Sequence, residues 1–238
     1  MSTTQQSDQM SSATVADRHR GALATGVWAV LAAAMVAFGL APLAVPSSYV
    51  WTEHGISESG AQGIDGAWAT RLGFILFGLA VFLLVRVRAK EWRPLGTMFH
   101  LAFGVSMFGV AAFSTKPWEA NAPYVDSEDF LHDIFASTLG FSFIAGAVTV
   151  MIVRRNRTVR GALPDLAAIA ITSAVPLTIS TSIWGLLQRA MFLTAALWYG
   201  REAWLSGAGW QRRALHGSTN QWRRSPNRQN RRHQRSTH

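Results

Sequence analysis

The chain has 238 residues, of which 49% are hydrophobic and only 15% are charged. Soluble domains carry about 25% charged residues, and here the few charges lie in short stretches between long uncharged ones, which excludes an ordinary soluble globule and a disordered chain. Because there is no cysteine, a disulfide-stapled secreted domain and a cysteine-ligated metal are excluded as well. The composition predicts an integral membrane protein.

The net charge of +9 is concentrated at the C-terminal end. The segment from Ser206 to His238 carries eight arginines and no acid, so the rest of the chain holds 14 of the 22 basic residues against all 13 acidic ones. The isoelectric point of about 11.3 therefore describes this tail and not the whole molecule. A basic pI alone often indicates nucleic-acid binding, but here nucleic acid is not an expected partner.

A long uncharged segment follows a polar N-terminus. Residues 1–23 are mostly polar and are predicted to be disordered. Residues 24–45 are apolar, and about 20 helical residues suffice to cross a hydrocarbon layer of about 30 Å. A cleaved signal peptide is the alternative, but the apolar run is too long and several more follow it. We therefore expect an uncleaved first span.

The same reasoning predicts an all-α bundle of six transmembrane helices. The predicted spans cover residues 24–45, 68–85, 95–113, 130–153, 166–183 and 184–204. Pro176 is expected to kink the fifth span, because proline removes one backbone hydrogen bond. The transmembrane domain is then residues 24–205, followed by a disordered arginine-rich cytoplasmic tail, residues 206–238.

The distribution of Lys and Arg predicts the orientation of the bundle. On one side lie 19 of the 22 basic residues: Arg18, Arg20, Arg86, Arg88, Lys90, Arg93, Arg154, Arg155, Arg157, Arg160, Arg201 and the eight tail arginines. The opposite loops carry eight of the 13 acids. Both termini are therefore expected in the cytoplasm, and the protein is expected to be a multi-pass protein of a bacterial plasma membrane.

The acidic outer loops contain most of the candidate site residues. Asp129, His132 and Asp133 share one face of a predicted helix, because they are three and four residues apart. Imidazole and carboxylate groups are ligands for zinc and other divalent metals, so His54, His132 and Asp133 are candidate metal ligands. The alternative is that the acids at this point complement the positive end of a helix dipole. No compact metal motif is present, and no cofactor is assigned.

Arg189 is the least expected residue, because it lies five residues into the sixth predicted span. An unpaired arginine deep in a bilayer is costly. It either extends to the interface, pairs with an acid, or binds a ligand. We predict an ion pair, direct or through one water, with Asp133, Glu58 or Asp126. The resulting candidate outer polar cluster comprises Ser57, Glu58, Asp126, Asp129, His132, Asp133 and Arg189.

The tail is expected to lie against the lipid surface. Juxtamembrane arginines are attracted to anionic lipid by about 1 kcal/mol each. The candidate lipid-surface residues are Arg212, Arg213, Arg223 and Arg224. An inert solvated tail is the alternative.

Several short motifs resemble a known family. The stretch Ile56 to Ala61, the acidic loop with Asp126, the pair Leu131-His132 and the stretch Gly185 to Arg189 resemble the bacterial "domain of unknown function 998" family over roughly residues 25–205. The resemblance implies a six-helix integral membrane protein. It implies no established activity.

Three functions fit these observations. The first is a non-enzymatic multi-pass membrane protein whose outer polar cluster binds lipid or a partner. The second is an intramembrane metal-dependent hydrolase acting on lipid through Ser57, Glu58, Asp126, His132 and Asp133. The third is a small transporter, which is ranked last because the middles of the spans lack the ionisable or broken-helix features of transporters.

Overall fold

The computed structural model describes residues 3–155, 159–178 and 181–223, and within these ranges it contains helices and no strand. The prediction of an all-α protein is therefore confirmed. The long helices are α1 (Thr3–Ala44), α2 (Trp68–Ala112), α3 (Asp126–Arg155), α4 (Val159–Ala174) and α5 (Trp184–Arg223). Two short 3-10 helices cover Glu58–Gly60 and Val175–Thr178.

Helix α2 is a hairpin of two helical arms. The second and third predicted spans are joined without the expected loop, because the chain stays helical until Arg93 and reverses there (φ 61°, ψ 168°). The next residue is Pro94, whose ring disfavours the helical conformation of the residue before it. The rings of Phe77 and Phe103 lie 5.7 Å apart, so the two arms pack against each other and run antiparallel.

An aromatic core fills the space between α1, α2, α3 and α5. Phe38, Phe74, Phe77, Phe103 and Tyr199 are each at most 3% exposed. The outward surface is also apolar. It includes large exposed side chains such as that of Phe141, which is 66% exposed. Within the described ranges, three helical segments are long and apolar enough to cross a membrane: Gly21–Ala44, Trp68–Ala112 and Asp126–Arg155. These features agree with a protein embedded in a bilayer.

Proline 176 lies where α4 ends and the 3-10 helix Val175–Thr178 begins. The expected irregularity in the fifth predicted span therefore takes the form of a switch from α to 3-10 geometry. A proline cannot donate the backbone hydrogen bond that continues an α-helix.

Helix continues into both terminal segments that the sequence predicts to be disordered. Helix α1 begins at Thr3 and α5 extends to Arg223, and no proline interrupts either extension. Arg212, Arg213 and Arg223 thus lie on α5, whereas Arg224 lies outside the described residues. The division of the chain at residues 23 and 206 stays a prediction.

The bundle has two polar ends. We name the outer end after the predicted orientation: it comprises residues 45–67, residues 113–125 and the start of α5. The inner end comprises the reversal at Arg93, the end of α3, the start of α4 and the part of α5 around residue 202. The two ends hold different groups of polar side chains.

Candidate functional sites at the two ends of the bundle

The loop of residues 45–67 is docked against the start of α5. The amide of Leu186 donates to the carbonyl of Thr52 at 3.1 Å. A Cβ atom at Gly185 would lie 2.2 Å from the carbonyl oxygen of His54, closer than any side chain allows. Glycine at position 185 is therefore what lets the loop backbone reach the first turns of α5.

Arg189 is held by backbone carbonyls of this loop. Its Nη1 donates to the carbonyls of Trp51 (2.6 Å), His54 (3.0 Å) and Gly185 (2.9 Å). Its Nη2 donates to the hydroxyl of Tyr49 at 2.6 Å. The sequence predicts an ion pair of Arg189 with Asp133, Glu58 or Asp126, direct or through one water. Among the described residues Arg189 forms no direct ion pair, because every ion pair there lies at the inner end, and a bridge through one water stays a prediction. Carbonyl oxygens near the helix start take the place of a carboxylate.

Tyr49 does not neutralise this charge. Burial raises the pKa of the Tyr49 hydroxyl above its usual value of 10.0, and the neighbouring Arg189 offsets only part of that rise. The hydroxyl therefore stays protonated near neutral pH and donates to the carbonyl of Gly55 at 2.7 Å. Arg189 keeps its full positive charge.

Glu58 and Ser57 belong to the same loop. A carboxylate oxygen of Glu58 accepts a hydrogen bond from the amide of Gly55, and Ser57 is half-buried just before the 3-10 helix that Glu58 begins. From α5, the Gln188 side chain accepts a bond from the amide of Ile56 at 2.5 Å. These contacts fix the shape of the loop around Arg189.

The other residues of the candidate outer polar cluster lie at the connection between α2 and α3. Asp129 accepts hydrogen bonds from the Thr115 hydroxyl (3.0 Å) and the Lys116 amide (2.8 Å). A ring nitrogen of His132 lies 2.8 Å from the carbonyl of Phe113. Asp126 begins α3 and, like Asp133, is exposed. Asp126 and Asp129 lie in the first turn of α3, which favours the helix-terminus interpretation of these acids.

No metal-ligand set forms in the part of the chain that the structure describes. No group of three or more His, Asp or Glu side chains is placed to hold a metal ion there. Of the candidate ligands, His54 makes a contact of 3.0 Å with the amide of Val50 and stacks on Tyr49, whereas His132 contacts the α2–α3 connection. The structure thus places His54 and His132 in different local contacts, and Asp133 is exposed.

A groove runs beside Arg189 between α1 and α5. Its volume is about 310 Å³, near the lower end of the ~300–1,000 Å³ typical of small-molecule sites. Arg189 is the one charged residue among the nine that line it. The other eight are Met35, Phe38, Gly39, Trp51, Ile56, Leu186, Ala190 and Leu193. Leu186 and Leu193 are 41% and 48% exposed, so the groove opens toward the apolar surface of the bundle.

The inner end contains a buried ion cluster, formed by Arg88, Arg154, Asp165, Arg201 and Glu202. Glu202 is fully buried and accepts bonds from Arg88 at 2.8 Å and from the indole of Trp92 at 3.0 Å. Its other oxygen is contacted by Arg154, and more distantly by Arg201 at 3.4 Å. Each carboxylate oxygen therefore has charged donors, which a buried carboxylate requires.

Asp165 completes this ion cluster from α4. It is also fully buried and accepts from Arg154 at 2.6 Å, from Arg201 at 3.2 Å and from the indole of Trp198 at 2.9 Å. Because Arg154 contacts both carboxylates, the cluster joins α2, α3, α4 and α5 at one point. Three arginines and two acids leave it with one excess positive charge.

This cluster is not among the sequence-based predictions. Arg88 and Arg154 are predicted as loop charges and Arg201 as a charge at the end of the sixth span, whereas Asp165 and Glu202 are not candidate residues. The physical reason is that these arginines bond to buried carboxylates on other helices instead of extending into water. One feature of the sequence could have indicated the cluster: Asp165 and Glu202 are acids within apolar stretches on the arginine-rich side.

His100 lies next to the buried ion cluster, in an aromatic box. It is fully buried, as expected for a packed histidine, and its Nδ1 is 3.0 Å from the hydroxyl of Tyr199. The ring packs on Trp92 and Trp198, with centroids 4.2 and 5.1 Å away. Its Nε2 has no hydrogen-bond partner among the described residues. The aromatic box thus connects the ion cluster to the apolar core, because Trp92 and Trp198 contact both the acids and His100.

The chain was compared with protein families, curated proteins and solved structures. Neither the search of curated proteins nor the search of solved structures found a similar chain. A family model described as "Protein of unknown function (DUF998)" matches residues 28–205, which include α2, α3, α4, the groove and the buried ion cluster. That match covers well over half of the chain, and the protein therefore belongs to the DUF998 family.

Proposed function

We propose that this member of the DUF998 family is a six-span protein of the plasma membrane with both termini in the cytoplasm. The apolar helices support embedding in a bilayer. The two antiparallel arms of α2 supply two of the six passes. The bias of 19 of 22 basic residues to one side supports the orientation. The buried ion cluster then lies near the cytoplasmic surface.

We further propose that the protein binds a membrane lipid at the outer end, with an acyl chain in the groove between α1 and α5. The observation that carries this proposal is the combination of apolar groove walls and a positively charged Arg189 at one position. A lipid has the same two parts, a hydrocarbon chain and a polar head. The groove is on the apolar surface, where lipid chains are the surrounding medium.

The remaining candidate residues have supporting roles in this proposal. Ser57 and Glu58 hold the loop that carries the carbonyl partners of Arg189. Asp129 and His132 contact the α2–α3 connection, and Asp126 and Asp133 are exposed near the start of α3. The arginines of the tail contact anionic lipid at the opposite surface. No step of a chemical reaction is assigned to any of these groups.

Glycine 39 offers a clean test of lipid binding. It lines the groove, and a Cβ atom there would meet nothing within 4 Å, so position 39 has room to begin a side chain and Gly39→Leu is designed to fill the groove. Gly26 lies on the same helix, is also open, and is not among the groove residues. Gly26→Leu is therefore the matched control.

The measurement is native mass spectrometry of the full chain released from detergent after purification from membranes. We expect about one tightly retained lipid per chain in the unmodified protein and in Gly26→Leu. Gly39→Leu is expected to lose that lipid while unfolding at the same temperature as the control. Equal retention in the two variants would show that no lipid occupies the groove.

A further inference from the structure

We propose that the lipid bound in this groove carries a net negative headgroup, whose phosphate is contacted by Arg189. This inference rests on the proposed function. It adds a ligand class to the site, because a groove alone would accept any acyl lipid. The argument comes from the hydrogen bonds that Arg189 makes and from those that it leaves free.

The hydrogen bonds of Arg189 stabilise its position but do not cancel its charge. All four acceptors are neutral: three carbonyls and the protonated hydroxyl of Tyr49. A guanidinium has five N–H donors. The Nε donor has no protein acceptor among the described residues, and Nη2 uses one of its two hydrogens. Two donors therefore remain for a ligand.

Three carboxylates of the outer end, Glu58, Glu128 and Asp129, are bonded to groups other than Arg189. Glu58 is bonded to the amide of Gly55 and forms no ion pair with Arg189. Glu128 and Asp129 bond to the chain just after α2, at Ser114 and at Thr115 with Lys116. Among the described residues Arg189 therefore has no direct anionic partner, although Glu58 is near enough for its charge to act on the adjacent Tyr49 hydroxyl.

An anionic headgroup would satisfy both the charge and the free donors. Hydrogen bonds between a guanidinium and a phosphate are charge-assisted and are about twice as strong as neutral ones. Near the bilayer interface, an arginine without a direct anionic partner gains from such a partner because the surroundings solvate charge poorly. The ring of Trp51, which also lines the groove, lies 5.8 Å from the guanidinium.

The absence of cysteine permits a single-site reporter in the full chain. Leu197 lies one turn below Leu193 on the groove face of α5 and is 58% exposed, so Leu197→Cys carries a bimane label beside the acyl chain. Phe141→Cys on α3, at 66% exposure, is the control for bulk lipid. The labelled protein is reconstituted in dioleoyl phosphatidylcholine with increasing fractions of brominated-chain lipid, which quenches bimane on contact.

Three brominated lipids are compared: phosphatidylglycerol, phosphatidylcholine and phosphatidylethanolamine. We expect phosphatidylglycerol to quench the label at position 197 with about fivefold higher relative affinity than phosphatidylcholine, the ratio for about 1 kcal/mol per basic residue near anionic lipid. At position 141 the three lipids should quench in proportion to their mole fraction. Adding Gly39→Leu should remove the preference at 197, and adding Gly26→Leu should keep it.

Substitutions at Arg189 separate charge from structure. Arg189→Lys keeps the charge and should retain part of the preference, whereas Arg189→Gln should make the two headgroups equivalent. Lys116→Gln removes one exposed charge from the same end and should change nothing. If Arg189→Gln fails to fold, the headgroup comparison in the unmodified protein still decides.

The outcomes distinguish the two proposals. Equal affinity for phosphatidylglycerol and phosphatidylcholine, with a lipid still retained in mass spectrometry, overturns the anionic headgroup and leaves lipid binding intact. A preference for phosphatidylethanolamine overturns it too, because its ammonium would indicate pairing with a carboxylate. If Gly39→Leu and Gly26→Leu retain the same amount of lipid in mass spectrometry, the proposed function itself is overturned.

Discussion

Arg88 and Glu202 are 114 positions apart in the chain and form a buried ion pair of 2.8 Å, in which the side chain of Glu202 is fully buried and that of Arg88 is 9% exposed. The pair joins the first arm of α2 to the middle of α5. Around it, Arg154, Asp165 and Arg201 extend the contact to α3 and α4. At the inner end, the helices are therefore held together by buried ion pairs as well as by apolar packing.

Removing the carboxylate of Glu202 is expected to destabilise the bundle. Glu202→Gln leaves Arg88 and Arg154 with one anionic partner fewer in a buried site, and breaking a buried pair costs about 3–5 kcal/mol. A lowered midpoint of thermal unfolding in detergent checks this. Glu91→Gln, an exposed acid of α2 on the same side, should leave the midpoint unchanged. Similar midpoints for both variants would mean that the cluster contributes nothing to stability.

Two arginines of the cluster, Arg88 and Arg201, are expected to differ in their effect on stability. The Arg88 side chain is 9% exposed and bonds at 2.8 Å, whereas that of Arg201 is 27% exposed and bonds at 3.2 and 3.4 Å. Partly solvated, longer pairs contribute less than buried ones. Arg88→Met should therefore lower the unfolding midpoint more than Arg201→Met. The reverse order would contradict the burial seen here.

Glycine 185 is expected to control the docking of the outer loop. Gly185→Ala places a methyl group against the carbonyls of His54 and Trp51, at distances that require the loop to move. The carbonyl partners of Arg189 should then be lost. Hydrogen exchange of residues 45–67 should rise, while exchange at the inner end stays unchanged. Gly26→Ala, where space is open, should leave exchange in the loop unchanged.

Topology reporters check the proposed orientation. Fusions after residues 60, 90, 122, 157 and 210 are expected to report outside, inside, outside, inside and inside, in that order. The physical reason is the retention of Lys and Arg on the cytoplasmic side. A cytoplasmic signal after residue 122 would contradict the six-span arrangement.

Deleting the basic tail is expected to affect lipid attraction and not folding. Residues 211–238 carry eight arginines and no acid. Their loss should leave the unfolding midpoint nearly unchanged and reduce binding of the solubilised protein to anionic vesicles, more so at low salt. A strong fall in the unfolding midpoint would show instead that the tail packs against the bundle.

The sequence by itself determined the kind of protein. Uncharged apolar stretches of about 20 residues and the one-sided distribution of arginine are local properties, so they predict embedded helices and an orientation without any knowledge of contacts. The motifs around Glu58, His132 and Arg189 also pointed to the family that the comparison shows.

Only the tertiary structure decided which polar groups meet. Glu202 and Arg88 are too far apart in the chain for any spacing rule to join them, and their contact depends on how α5 packs on α2. Arg189 was expected to find a carboxylate, but its partners are carbonyl oxygens, which every residue possesses and which no sequence pattern marks. Backbone acceptors become selective only when the fold places them, and here Gly185 brings the loop close enough to do so.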